Sequence, residues 1–343
     1  MAKRVTIKDI ARETGFSAMT VSFVLNGNKT HHASEKTKEL IRNVARRLNY
    51  LPNLNAKRLV TSRNNVIGLL IDKRGPSCNY DIMFSLEELA VASGHRLQIG
   101  MSHDDFASLS GYIDDFRGNG VTDVICLGHS YPQFGFRIPA LLESFERVVF
   151  LEKPCAPTRF PYVGIDHFIN FRNFTDAMLK GGFRRIVSIR SNYQDNAFFE
   201  ARRGMVQAYH DNSLPFDNGF WLTASTDGDE SQDEAAANLE MALPLKPDVL
   251  LLCNDMAALN AIRVLNEKGL NVPKDIAVFS ASLSNYARIT SPSISGIDYN
   301  APLLAKKLFD TLMSDAALAA DQRNLLVPAR LVWRETCPLR KMV

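Results

Sequence analysis

Along the first 50 residues, apolar positions recur at helical spacing in three short bursts separated by stop signals. Thr6-Ile7-Lys8-Asp9 reads as a capping box, in which hydroxyl and carboxylate satisfy each other's free backbone amides, and Ile7, Ile10 and Ala11 form the first apolar face. Gly15 ends that helix and Ser17 is placed to cap the next, where Val21, Val24 and Leu25 repeat the i, i+3, i+4 spacing. The third burst opens at Ser34-Glu35, with acid at the positive helix end, and is expected to bury Leu40, Ile41, Val44, Ala45 and Leu48. Three such faces suffice for a miniature core.

Two short helices joined by a tight turn, the second offering Ala18, Met19, Thr20, Ser22 and Phe23 outward, match the helix-turn-helix arrangement that lays its second helix in the major groove. Thr20, Ser22 and the cap Ser17 can donate to phosphate oxygens, whereas Ala18, Met19 and Phe23 offer only apolar surface, suited to thymine methyls. An ordinary helical hairpin, with Met19 and Phe23 packed four residues apart on a neighbour, is the competing reading of the same spacing.

Past the polar stretch 61–65 the pattern changes to short apolar runs alternating with helical ones. Residues 66–71, 97–100, 124–127, 148–151, 186–189, 249–252 and 276–279 read as buried strands, and stretches such as 84–93, 169–180, 197–210, 232–242 and 256–268 as helices. That alternation predicts doubly wound parallel sheets, which bind ligands at the carboxyl ends of their strands, and the length suits two lobes.

Charge sharpens the division. The net +3 of the 343-residue chain resolves into +9 over residues 1–65 and −6 over the remainder, a basic module ahead of a mildly acidic body. A compact basic module is the electrostatic footprint of a nucleic-acid binder. No stretch approaches the ~18 uninterrupted apolar residues of a membrane helix, and the N-terminus carries no export signal, so a cytoplasmic protein without membrane partners is expected. Cys78, Cys126, Cys155, Cys253 and Cys337 are scattered and odd in number, which reads as reduced packing thiols with no metal cluster. No nucleophile elbow, phosphate loop, dinucleotide fingerprint or zinc-protease motif is present, so neither an enzyme nor a cofactor is expected.

Val5-Thr6-Ile7-Lys8-Asp9-Ile10-Ala11, Gly15-Phe16-Ser17-Ala18-Met19-Thr20-Val21-Ser22 and Val24-Leu25-Asn26-Gly27 resemble the N-terminal signature of the lactose-repressor (LacI) family of bacterial transcription regulators. The likeness continues through Leu48-Asn49-Tyr50-Leu51-Pro52-Asn53 into Ala56-Lys57-Arg58-Leu59, which is similar to the family's hinge. It implies a helix-turn-helix domain over 1–52, a hinge helix and linker over 53–65, and a two-lobed effector-binding and dimerisation domain over 66–338. Thr6, Ser17, Ala18, Met19, Thr20, Ser22, Phe23, Asn26, Tyr50, Asn53 and Ala56 are then the expected DNA contacts, and Leu59 the minor-groove wedge. Phe23 departs from the basic or polar base reader of many members, and the loop from Asn26 to Ser34 is about two residues longer than usual.

The body, by the same resemblance, is similar to periplasmic sugar-binding proteins, with one lobe near 66–165 plus 294–323 and the other near 166–293 plus 324–338. Glu152, Asp166, Asn254, Asp255 and Ser282 are the expected effector contacts, short polar groups at strand ends. The family's ligand-clamping arginine is replaced by Ala201, with Phe199 at the other frequent arginine position, and its Gly-aromatic-Asp segment by Ser280-Ala281-Ser282. Arg202 or Arg190 offers a displaced cation, but a solvated helix face or strand end is the plainer reading of each. Phe168, Phe171 and Phe174 read as packing. The expectation is a homodimeric, effector-responsive repressor of a carbohydrate-related operon that binds a double-stranded DNA operator. The alternatives are a regulator with a degenerate cleft, constitutive or controlled by a protein partner, and a periplasmic-type sugar-binding protein.

Overall fold

The computed structural model describes residues 5–25, 33–50, 65–73, 75–103, 105–129, 131, 133–190, 195–224, 232–314 and 324–339. The chain divides into two compact units, 1–64 and 65–343.

The first unit contains α1 (Ile7–Thr14), α2 (Ala18–Leu25) and α3 (Glu35–Arg47). The capping box forms: the Thr6 amide and hydroxyl donate to Asp9 Oδ2 at 2.9 and 2.7 Å. Gly15 sits at φ 74°, a left-handed cap that closes α1 through its N–H to the Ala11 carbonyl, a conformation costly for any residue with a Cβ. Ile10, Val21, Val24, Ile41, Val44 and Ala45 make the buried core. Leu40 does not join it and is 47% exposed, because the α3 stripe runs 41, 44, 45, 48 and leaves position 40 about 100° off its axis.

The second unit holds two six-stranded sheets. In the first, β1 (Val66–Asp72), β2 (Arg96–Ser102), β3 (Asp123–Cys126), β4 (Arg147–Leu151), β5 (Tyr162–Ile165) and β11 (Leu325–Val327) lie in the order β11-β5-β4-β3-β1-β2, all parallel. In the second, β6 (Ile186–Arg190), β7 (Trp221–Thr223), β8 (Val249–Leu252), β9 (Ala277–Ser280), β10 (Ser295–Asp298) and β12 (Arg330–Val332) lie in the order β12-β10-β9-β8-β6-β7, with β12 antiparallel.

The inner strands β1, β3, β4, β6, β8 and β9 are buried along almost their whole length because both faces are covered, whereas β2 at the sheet edge has exposed positions. Ile67, Leu69 and Ile71 pack with α4 (Cys78–Ala92) and α11 (Ala301–Met313), while Leu70 faces α5 (Phe106–Gly118) and α6 (Ile138–Leu142). In the second lobe, Ile186, Val249 and Leu251 face α7 (His167–Lys180) and α8 (Asn196–Asp211), and Val187, Leu250 and Leu252 face α9 (Gln232–Ala242) and α10 (Asp255–Glu267). Helices α7 and α8 approach so closely at Gly204 that a Cβ there would collide with the Phe168 carbonyl. Phe171 and Phe174 are fully buried packing residues, as expected.

The chain passes between the lobes three times, from β5 to α7, from β10 to α11 and from β11 to β12. This corrects the expected lobe limits: 295–298 belongs to the second sheet and 325–327 to the first. Both are strands of three or four residues at or near sheet edges, too short to carry a period. Tyr299 and Ala329, on the last two crossings, pack against the cores of both lobes.

Candidate functional site

In the first unit, α2 presents Ala18 and Met19 to solvent, Met19 being 67% exposed, with Thr20, Ser22 and Phe23 half-buried beside them. Ser17 Oγ accepts the Thr20 amide at 3.1 Å and lies 2.9 Å from the Thr20 hydroxyl, so both hydroxyls are oriented by the helix start. Lys8, Lys36, Arg42 and Arg46 are exposed cations of the same unit, and Arg12 and Arg47 are paired with Asp9 and Glu13 at 2.8 and 2.6 Å. Two expected contacts have structural duties. The Thr6 hydroxyl is held by Asp9, and Tyr50 packs against the head's core. Asn26, Asn53, Ala56 and Leu59 lie outside the described residues.

The second unit contains a cavity of about 230 Å³ between its lobes, walled by the carboxyl ends of strands from both sheets. Glu152, Asn254 and Ser282 line it. Glu152 follows β4 at φ 67°, and its Oε1 accepts the Ile165 amide at 3.2 Å and lies 3.2 Å from His167 Nε2. Gly164 makes room for this carboxylate, since a Cβ there would sit 2.8 Å from Glu152 Oε2. Burial disfavours charge on His167, but the attraction of Glu152 outweighs it and raises the imidazole pKa. Asn254 caps α10 by accepting the Ala257 amide at 2.8 Å.

Two expected contacts stand elsewhere. Asp166 is absent from the cavity wall and caps α7 through the Ile169 amide at 2.9 Å. Asp255 is buried behind the wall, its Oδ2 taking the Ser284 amide and hydroxyl at 2.8 and 2.5 Å. The sequence pair Asn254-Asp255 thus divides: one residue faces the cavity, the other fixes the loop after β9.

The wall also holds residues that the sequence reading passed over, Asp72, His129, Asp195 and Tyr299, and one that it read more plainly as solvated, Arg190. Asp72 ends β1 and lies 2.8 Å from His103 Nδ1. His129 sits in the loop after β3, its Nε2 2.5 Å from the Leu151 carbonyl, and burial lowers its pKa. Asp195 caps α8 through the Phe198 amide at 2.9 Å, and Tyr299 enters from the second crossing. Arg190, the last residue of β6, lies with its guanidinium carbon 5.1 Å from the centre of the Phe171 ring, and its buried Nε and Nη1 have no hydrogen-bond partner. Arg202 instead donates to Asn218 at 2.7 Å and is not part of the wall. Of the two candidate cations, then, β6 and not α8 delivers one to the cavity, correcting the plainer reading of Arg190 as a solvated strand end. Position at a strand's carboxyl end was the available signal for Arg190 and His129.

Two hydrogen bonds tie the lobes together. Ser282 Oγ donates to Cys78 Sγ at 3.0 Å and the Asn285 amide to Asp81 Oδ2 at 2.8 Å, while burial pushes the Cys78 thiol up to about 12. All five cysteines are free. Among the described residues no helix is long and apolar enough to cross a membrane, and no cluster of His, Cys, Asp and Glu could hold a metal ion.

A three-helix head followed by a two-lobed, doubly wound body is the architecture in which these residues stand. Residues 6–53 match the model for bacterial regulatory proteins of the lacI family, and residues 175–337 that for periplasmic binding protein-like domains. The chain is 23% identical over 336 residues to catabolite control protein A of Staphylococcus xylosus, covering 97% of this chain and 99% of that protein. It is 26% identical over 348 residues to the HTH-type transcriptional repressor PurR of Edwardsiella ictaluri, covering 96% of each. Its fold superposes on that of the lac repressor dimer bound to operator and an anti-inducer, with a TM-score of 0.79, 23% identity and coverage of 97% and 99%. A cellobiose complex of the regulator CelR gives 0.69 at 20% identity, covering 97% and 100%. The chain thus carries a DNA-binding domain of the lacI family of bacterial regulatory proteins together with a periplasmic binding protein-like domain, the combination found in transcriptional regulators.

Proposed function

We propose that the protein is a cytoplasmic, homodimeric repressor of a carbohydrate-related operon, without catalytic activity, whose affinity for a double-stranded operator is set by a sugar or sugar derivative in the interlobe cavity. One observation carries the effector half of this reading: Glu152, Asn254 and Ser282 converge on a single cavity although they come from different strands of two lobes. A ligand that bridges the lobes favours one lobe arrangement over another, and only such differential affinity lets it shift an equilibrium. A homodimer follows from the size of the head, since one module contacts too few base pairs and two are needed at half-sites related by a two-fold axis. Ser17, Thr20 and Ser22 are assigned to phosphates and Ala18, Met19 and Phe23 to base edges. Thr6, Asn26, Tyr50, Asn53, Ala56 and Leu59 keep the DNA-contact roles that the family likeness gives them, Asp166 and Asp255 supporting roles behind the effector.

The test is fluorescence anisotropy of the full chain on duplexes from its own promoter region, titrated with salt and then with neutral sugars, sugar phosphates and sugar acids. The logarithm of the binding constant should fall against that of salt with a slope of about −0.9 per phosphate neutralised. At least one small molecule should change operator affinity. A flat salt response would remove the DNA-binding half, and indifference to every small molecule would remove the effector half. The ties Ser282–Cys78 and Asn285–Asp81 favour a second reading, in which the cleft is held shut and the protein represses constitutively or answers to a protein partner.

A further inference from the structure

We infer that Arg190 is an anion-binding group for the effector, and that the effector is a hydroxylated small molecule carrying a carboxylate or phosphate. This deepens, and rests on, the reading of the interlobe cavity as the effector site.

The argument turns on which charges of the wall already have partners. Among the described residues lining the cavity, Arg190 is the sole lysine or arginine. The four acids of the wall, buried Glu234 among them, are engaged. Glu152 accepts the Ile165 amide and faces His167, Asp72 faces His103, and Asp195 caps α8. Arg190 lacks such a partner at its buried Nε and Nη1, and the Phe171 ring is its recorded cation contact. Two guanidinium nitrogens withdrawn from water without hydrogen bonds are costly, and a neutral hydroxyl compensates them far less than an anionic oxygen does. Its planar fork suits a two-oxygen acceptor, the geometry common to carboxylate and phosphate.

The hydroxyl requirement comes from His129. A carbonyl can only accept, so the 2.5 Å contact with Leu151 fixes the proton on Nε2 and leaves Nδ1 as an acceptor. Nδ1 is buried and has no partner, so the cavity offers it to a donor such as a sugar hydroxyl. Opposite strands of the cavity therefore ask for opposite things, an anion at β6 and a hydrogen-bond donor after β3. The cation that helix α8 lacks at Ala201 is supplied from a different element, so the ligand's acidic group must lie in a different orientation from one held by α8.

The experiment uses the full chain with D-glucuronate, D-galacturonate, D-gluconate, D-glucose 6-phosphate and the neutral parents D-glucose and D-galactose, at constant ionic strength. Calorimetric titration and operator anisotropy are read together. An acid or phosphate should bind at least tenfold more tightly than its neutral parent, the carboxylate and phosphate arms identifying which anion fits. Arg190→Gln should bring the acid to the level of the parent, and Arg190→Lys should retain part of the preference. The unliganded melting temperature of Arg190→Gln should equal or exceed that of the wild type. A drop of several degrees would make Arg190 a packing residue over Phe171 and overturn the inference. A neutral sugar that binds as tightly as its acid, or an acid that binds Arg190→Gln undiminished, would overturn it while leaving the effector reading intact. If no compound binds and operator affinity never moves, both fall together.

Discussion

The head and the cavity solve opposite problems with the same kinds of side chain. In the head, the helix starts pair polar groups with near neighbours in sequence, Thr6 with Asp9, Ser17 with Thr20 and Ser34 with Thr37, and the Arg47–Glu13 pair joins α3 to α1. What remains for a partner is an exposed surface of cations and of apolar side chains such as Met19. In the cavity, pairing runs between distant residues, Asp72 with His103 and Ser282 with Cys78, and what remains is buried: the Arg190 guanidinium and His129 Nδ1. A surface reader of a polyanion is assembled locally and works by exposed charge. A small-ligand site needs buried, unsatisfied groups held by a large scaffold, because desolvation is what makes each contact selective.

The comparison can be broken first at the head's core. Ile41→Ala removes a fully buried side chain from a cluster of six buried residues, at a cost of about 2–5 kcal/mol, comparable with the whole stability of so small a unit. Operator binding should be lost, while unfolding followed by tryptophan fluorescence should be unchanged, since Trp221 and Trp333 both lie in the body. A shifted tryptophan transition would show that the two units do not melt independently.

A smaller effect separates the two recognition surfaces. Met19→Arg should move preference toward guanine at one position per half-site by about 1–3 kcal/mol, with effector response retained. Asn254→Ala should do the reverse, abolishing effector response with operator affinity of the free protein nearly intact. Measuring both variants on operator and single-base mutants, with and without effector, checks this; cross-effects in either would dissolve the division.

The two cavity histidines should give the body opposed pH dependences. His167 is raised from 6.5 in the fold, so its contribution is complete below 6.5 and lost as pH rises through its folded value. His129 is lowered from 6.5, so the unfolded chain takes up a proton that the fold refuses, and stability is lost as pH falls below 6.5. Glu152→Gln should flatten the alkaline decline and His129→Asn the acid one, in urea unfolding monitored by tryptophan from about pH 5 to about pH 9. The smallest effect is expected at the head's first cap, where Thr6→Ala should cost about 1 kcal/mol, read as a modest loss of operator affinity that returns with Thr6→Ser.

Sequence by itself determined the head. Its helices, caps and turn are set by residues three or four apart, so the capping box, the Gly15 stop and the exposure of Ala18 and Met19 follow from spacing, and seven strands of the body from their apolar runs. Leu40 and Tyr50 mark the limit even there, since which edge of a helix stripe is covered depends on where the neighbouring helix lies. The cavity was legible only in part. Glu152, Asn254 and Ser282 were reached through the family resemblance, whereas the diversion of Asp166 and Asp255 to a cap and a loop anchor was not. Arg190, His129 and Tyr299 acquire their meaning from what fails to meet them, and the absence of a partner is a property of three-dimensional space, not of spacing. Tertiary structure alone decided which acids are engaged, because the contacts that engage them join β1 to the segment after β2 and β4 to α7.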